Sequence, residues 1–178
     1  MDEVDLTRLN SKLVTSVNEP VYTIPYLTAQ ARNGLVNVSS ASLNLLIAGN
    51  IVCQIRNNST NKMTSVEGIL VNSSASIGYS IIRDGTLSGS LTSQTVYNIN
   101  NKFIASTTTT IASAASATVS VSGGNTLLTQ LSLTNSFNPI SIVPIIINPG
   151  STLYFLSSGA LGLNVTINVI FTEYPSNQ

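Results

Sequence analysis

Between Phe103 and Thr172 the chain runs for seventy residues without one Asp, Glu, Lys, Arg or His. Ser, Thr and Asn are interleaved there with Ile, Val and Leu, so the stretch suits neither a membrane helix nor a disordered polar tail. Such interleaving fits β-strands, in which successive side chains point to opposite faces of a sheet. One face would be apolar and buried. The other would be neutral, carrying only hydroxyls and amides to meet water or another surface.

The rest of the composition agrees with that constraint. The 178 residues suffice for one β-sandwich domain, or one domain and an arm. Hydrophobic residues make up 43% and charged residues 8%, against a usual charged share of about 25%. With a formal net charge of zero, a free monomer would lack the repulsion that keeps small domains apart, so self-association is expected. The opening Met1-Asp2-Glu3-Val4-Asp5 is acidic and does not read as a signal peptide. No membrane span is expected, because the longest apolar run, Ile140 to Ile147, is broken by Pro144. Basic residues are scattered from Arg8 to Lys102 without a cluster that would track a phosphate backbone, which argues against nucleic acid as a partner.

Residues 1–34 read as an N-terminal arm or connector and 35–178 as the sandwich. Leu6, Leu9, Leu13 and Val17 recur at helical spacing, with Asp2, Glu3 and Asp5 ahead of Arg8 and Lys12, as a helix dipole prefers. A helix this short needs a surface to bind, either on its own sandwich or on a neighbouring copy. Pro20 and Pro25 make Val21 to Leu27, including Ile24, an extended linker or edge strand. Asn33-Gly34 signals a turn.

Beyond it the pattern is β. Strands are expected at 35–47, 51–56, 63–71, 76–83, 93–104, 117–122, 126–133, 140–147, 152–157 and 163–174, separated by turn chemistry such as Gly49-Asn50, Asp84-Gly85, Gly123-Gly124 and Pro149-Gly150. Many short strands at regular spacing indicate an all-β sandwich or barrel. In the last of them Leu163, Val165, Ile167, Val169 and Phe171 share one face, and Thr166 and Asn168 share the other. The tract Thr107 to Ser116 reads equally as strand or loop. Cys53 shares a face with Ile51 and Ile55, which places it in the core; an intersubunit disulfide is the other reading. One cysteine leaves no intrachain disulfide framework.

The inventory of reactive groups is poor. Without histidine the commonest general base and transition-metal ligand are missing, and Cys53 has no evident activator. Glu67 and Asp84 could face one another as a glycosidase pair would, but Asp84 reads more simply as bonding its own turn. No Asp-rich loop suits calcium, and Trp, the best sugar platform, is absent. No enzymatic activity and no cofactor or metal are expected. Sequons at Asn37, Asn57, Asn58, Asn72 and Asn164 would be glycan acceptors in an exported chain, although covered sheet faces would shield Asn164.

The run Gly123-Gly124-Asn125-Thr126-Leu127-Leu128, then Pro144 to Leu153 with its Asn148-Pro149-Gly150 turn, then Asn164 to Glu173, resembles the closing strands of small jelly-roll proteins on Gram-positive spores and their bacteriophages. Gln54 to Asn58 and Ile81 to Thr86 are similar to their first sheet hairpin. The resemblance covers about residues 43–174. It implies a jelly-roll-type antiparallel β-sandwich and a role in surface assembly, in spore appendages, spore coats or virion fibres.

These readings converge on a structural protein, a self-assembling subunit of an extracellular filament, spore appendage or surface layer on a cell, spore or virion. Its partners would be copies of itself, in a homo-oligomer or helical filament. Leu6, Leu9, Leu13, Val17, Val21 and Ile24 of the arm and the outward Thr166 and Asn168 are the expected assembly residues, with β-augmentation at a sheet edge as one mode. The competing class is a trimeric jelly-roll binding module, a fibre or lectin-like head recognising a glycan or receptor.

Overall fold

The computed structural model describes residues 26–134, 138–140 and 144–176. Its first element is a short helix, α1 (Tyr26–Arg32), where an extended segment was expected to run through Leu27. A proline just ahead of a first helical turn does not oppose it, since that turn has no intrahelical use for the missing N–H; Pro25 was therefore a poor breaker signal. Asn33-Gly34 does not simply turn the chain but closes the helix. Leu35 N–H donates to Gln30 O and Gly34 N–H to Ala31 O, both at 3.0 Å, with Gly34 at φ 69°, which is a Schellman cap. A Cβ on Gly34 would also collide with the Phe103 ring.

Two antiparallel sheets follow. The first contains β1 (Val36–Asn44), β3 (Lys62–Ser73), β7 (Val96–Asn98), β11 (Asn138–Ile140), β12 (Ile145–Ile147) and β14 (Asn164–Pro175), in the order β11-β3-β14-β1-β7, with β12 also on β3. The second contains β2 (Gly49–Asn57), β4 (Ile77–Arg83), β6 (Thr92–Gln94), β8 (Thr109–Ser116), β10 (Asn125–Ser132) and β13 (Thr152–Gly159), in the order β10-β4-β13-β2-β8-β6. The chain switches sheet at every step from β1 to β4, and again from β10 to β11, β12 to β13 and β13 to β14. The architecture is a β-sandwich, as the strand spacing implied.

Alternation along the strands fills the space between the sheets. Val165, Ile167, Val169 and Phe171 of β14 are all buried, as are Ile51, Cys53 and Ile55 of β2. They meet Val66, Ile69 and Val71 of β3 and Tyr79 and Ile81 of β4 in one core. Phe155 stacks on Tyr79 with ring centroids 5.1 Å apart. Each fully buried large side chain stabilises the fold by about 1.5–3 kcal/mol, and truncating Phe155 or Phe171 to alanine would cost about 3–5 kcal/mol. A smaller core lies on the outer side of the second sheet. There Val52, Ile82 and Tyr154 are covered by Val119 and by a two-stranded ribbon of β5 (Thr86–Ser88) and β9 (Ser120–Ser122).

Three strand expectations change. The apolar run 140–147 is two strands, β11 and β12, both paired with the same neighbour, β3, on either side of Pro144; proline removes a ladder donor and interrupts a continuous pairing. The segment 93–104 contributes only the end of β6 and β7 before turning at Asn101-Lys102. The Thr107 to Ser116 tract, ambiguous in sequence, supplies β8, which pairs with β2 over its whole length.

Candidate assembly surfaces

The sandwich has two distinct ends. At one lie the start of β1, the end of β2, the start of β3, the end of β4 and the end of β14, as the pairings Val36 with Thr172, Arg56 with Thr152, Leu153 with Arg83 and Lys62 with Pro175 require. The described charged residues gather in that half: Arg32, Arg56, Lys62, Arg83, Asp84, Lys102 and Glu173, with Glu67 midway along β3. At the other end the turns 45–48, 74–76 and 160–163 carry no charge.

The charges at the first end are used for fastening. Oε1 of Glu173 on β14 accepts the Thr107 hydroxyl, the Thr108 N–H at 2.9 Å and hydroxyl at 3.1 Å, and the Thr109 N–H and hydroxyl, each at 2.7 Å. Thr109 Oγ1 also lies 2.6 Å from Thr64 Oγ1 on β3. Burial pushes the Glu173 carboxyl up, but the hydroxyl and N–H donors of Thr107, Thr109 and Thr108 outweigh it, so the group ionises below the ordinary carboxylate range. Lys62 Nζ stands 3.7 Å from the other oxygen. This cluster was not anticipated from sequence. The available signal was Glu173 as the first charge after seventy neutral residues, matched by an unbroken run of four threonines at 107–110.

The other carboxylates do not form the pair considered from sequence. Glu67 belongs to the first sheet and accepts the Thr172 hydroxyl at 3.0 Å. Asp84 follows β4 in the second sheet and, instead of bonding its own turn, accepts the N–H of Thr152 at 3.0 Å, with its backbone at φ 53°. Glu67 instead shares a groove of about 590 Å³ beside α1 with Glu173. Among the described residues no three His, Cys, Asp or Glu side chains gather as a metal site. Cys53 is buried, and its thiol is pushed up to about 12 by desolvation.

Thr166 and Asn168 lie where alternation put them, half-buried on the outer side of β14. Register places Thr166 between Ser42 and Asn72, and Asn168 between Ser40 and Leu70. The next row is apolar: Ile170 beside Val38, with Tyr97 of β7 beyond it. Gly68, beside Ile170, leaves open space where a side chain would stand. The outer surface of this sheet thus carries hydroxyls, amides and a few large apolar groups, with the Glu67 carboxylate on Thr172 towards the charged end. Leu6, Leu9, Leu13, Val17, Val21 and Ile24 lie outside the described residues.

A second surface is the edge strand β10. It pairs with β4 on one side only, and its Asn125 to Leu131 face no other strand among the described residues. Tyr79 donates its hydroxyl to Gln130 Oε1 at 2.6 Å, fixing the inward row. Leu131 is 62% exposed, and the strand contains no charge and no proline. A bulge near Leu127 disturbs only its start.

Sequon positions sort by burial. Asn37 and Asn57 are buried, the latter donating to Lys62 O and Ile147 O, so neither is free to carry a glycan. Asn164, expected to be shielded, is exposed because it opens β14 at the charge-free end. No protein-family model, no curated protein and no solved structure matches this chain.

Proposed function

We propose that this protein is a structural subunit that assembles with copies of itself into an extracellular filament, appendage or surface layer. The observation that carries the reading is the β10 edge. Soluble sheets guard exposed edges with lysine, proline, bulges or short strands. Here a strand of eight residues, Asn125–Ser132, bulged only near Leu127, faces no other described strand over Asn125 to Leu131 and carries no charge, with Leu127 and Leu131 exposed. Pairing with a strand of another copy would satisfy its backbone groups by β-augmentation. A head-to-tail contact of that kind propagates unless it closes into a ring.

The strand order supports a finer description. β1-β14-β3-β12 opposite β2-β13-β4-β10, with the chain alternating between sheets, fits the winding of an eight-stranded jelly roll; β5 to β9 would then be an insertion that extends both sheets. Residues 1–34 would serve as the connector arm.

Negative-stain microscopy and light scattering of the purified full chain test the assignment. Filaments, sheets or large closed oligomers are expected. A monodisperse monomer at every concentration would overturn it.

A further inference from the structure

At the charge-free end, Leu46 is 78%, Ile47 58% and Leu161 69% exposed. The turns that carry them are tied together. Leu45 N–H donates to Leu163 O at 3.0 Å and Gly162 N–H to Leu45 O at 2.7 Å, so the β1–β2 and β13–β14 turns form one platform. Beside it lies a groove of about 260 Å³ between the turns 74–77 and 158–163, with Leu161 on its rim. Three large apolar side chains exposed on two joined, uncharged turns cost free energy in water and suit a contact site.

Building on the assembly reading, we propose that this end receives residues 1–25 of a second copy. Those residues carry Leu6, Leu9, Leu13 and Val17 at helical spacing, an apolar stripe that needs an apolar surface. They join the described fold at α1, which leads into the start of β1 at the charged end. To reach its own charge-free end an arm must pass along the sandwich, whose β14 has twelve residues and spans roughly 40 Å. The arm of a copy stacked end to end starts beside it. A bilayer fits the platform less well, because irregular turns are excluded from hydrocarbon. Self-docking of two such ends would leave the stripe uncovered. The contact is heterologous, joining one end to the opposite end, and so gives the assembly a direction.

The test uses full-length chains. Cys53 is the sole cysteine and is buried, so an engineered thiol is the only accessible one. One chain carries Leu9→Cys and another, with a different mass tag, carries Ala160→Cys at an exposed position in the groove. Mild oxidation of the mixture is expected to yield the mixed disulfide dimer as its main product. Leu161→Glu in the second chain is expected to abolish it without lowering the melting temperature. Products linking only like chains, no cross-link at all, an intramolecular bond in a third chain that carries both Leu9→Cys and Ala160→Cys, or flotation of the protein with phosphatidylcholine vesicles would each overturn the docking assignment. Micrographs of the unsubstituted chain separate the two levels: polymers without the mixed dimer refute only this contact, whereas monomers refute the assembly reading as well.

Discussion

The backbone N–H of Thr109 donates to Oε1 of Glu173 at 2.7 Å, tying the first residue of β8 in one sheet to β14 in the other. Four further donors from Thr107, Thr108 and Thr109 converge on that oxygen. Hydrogen bonds to an ionised acceptor are worth more than neutral ones, about 1.5–3 kcal/mol each, and they act here across the sandwich. Glu173→Gln keeps the shape and removes the charge. It is expected to destabilise the fold by roughly 2 kcal/mol, lowering Tm by about 4–8 °C for a chain of this size. Thermal melts of the two proteins at neutral pH check this; an unchanged Tm would show that the cluster does not hold the sheets.

Acid should erase that difference. Glu173 ionises below its ordinary value when folded, so its contribution is fully present above the unfolded value of about 4.3 and is lost as pH falls through the lower folded value. The Tm gap between the native chain and Glu173→Gln is therefore expected to close below about pH 4. A gap that persists at pH 2 would assign the loss to packing rather than charge.

Cys53 should be silent. Its side chain lies in the main core beside Phe155, and burial pushes its thiol up to about 12. A thiol reagent at pH 8 is expected to label the chain only after denaturant is added. Rapid labelling of the folded protein, or a disulfide-linked dimer of the native sequence, would place the sulfur at a surface.

The legible part of this fold was the part governed by period-two alternation. The inward rows of β2 and β14 could be read directly, because the inner face of each strand is apolar and buried along its length, whereas the second core over Val52 on the outer face of β2 left no such mark. The tract that became β8 could not be read in that way, since Thr, Ser and Ala suit a strand and a loop alike, and what decides it is pairing with β2 and the distant Glu173. α1 was hidden for a similar reason: proline rules describe the residue before a proline better than the turn after it. The segregation of charge to one end follows from strand direction and turn order. No local pattern carries that information.

A lysine on the outer face of the first sheet should discriminate between a contact surface and a merely polar one. Thr166 and Asn168 are half-buried by neighbours on β1 and β3, and their side chains point away from the core. Thr166→Lys or Asn168→Lys is expected to leave circular dichroism unchanged and to shorten or abolish polymers in micrographs. Normal polymers would remove this face from the assembly.

The edge makes a separable prediction. Leu131 stands opposite Gly78 on the outer side of β10, so a longer polar side chain there meets no protein atom it must displace. Leu131→Lys adds the guard that natural edge strands carry, because a buried ammonium at a strand junction would lose its hydration without a partner. The monomer should keep its Tm within about 1–2 °C, as surface substitutions usually do. Sedimentation should show assembly weakened and partly restored by salt that screens the added charge. If β10 is the joint, Leu131→Glu should act in the same direction, and equimolar mixing of the lysine and glutamate chains should recover assembly only where two β10 strands meet each other. Recovery would therefore indicate a two-fold edge contact, whereas continued failure with both variants would indicate that β10 pairs with a different strand of its neighbour. Full assembly of both single variants would exclude the edge altogether.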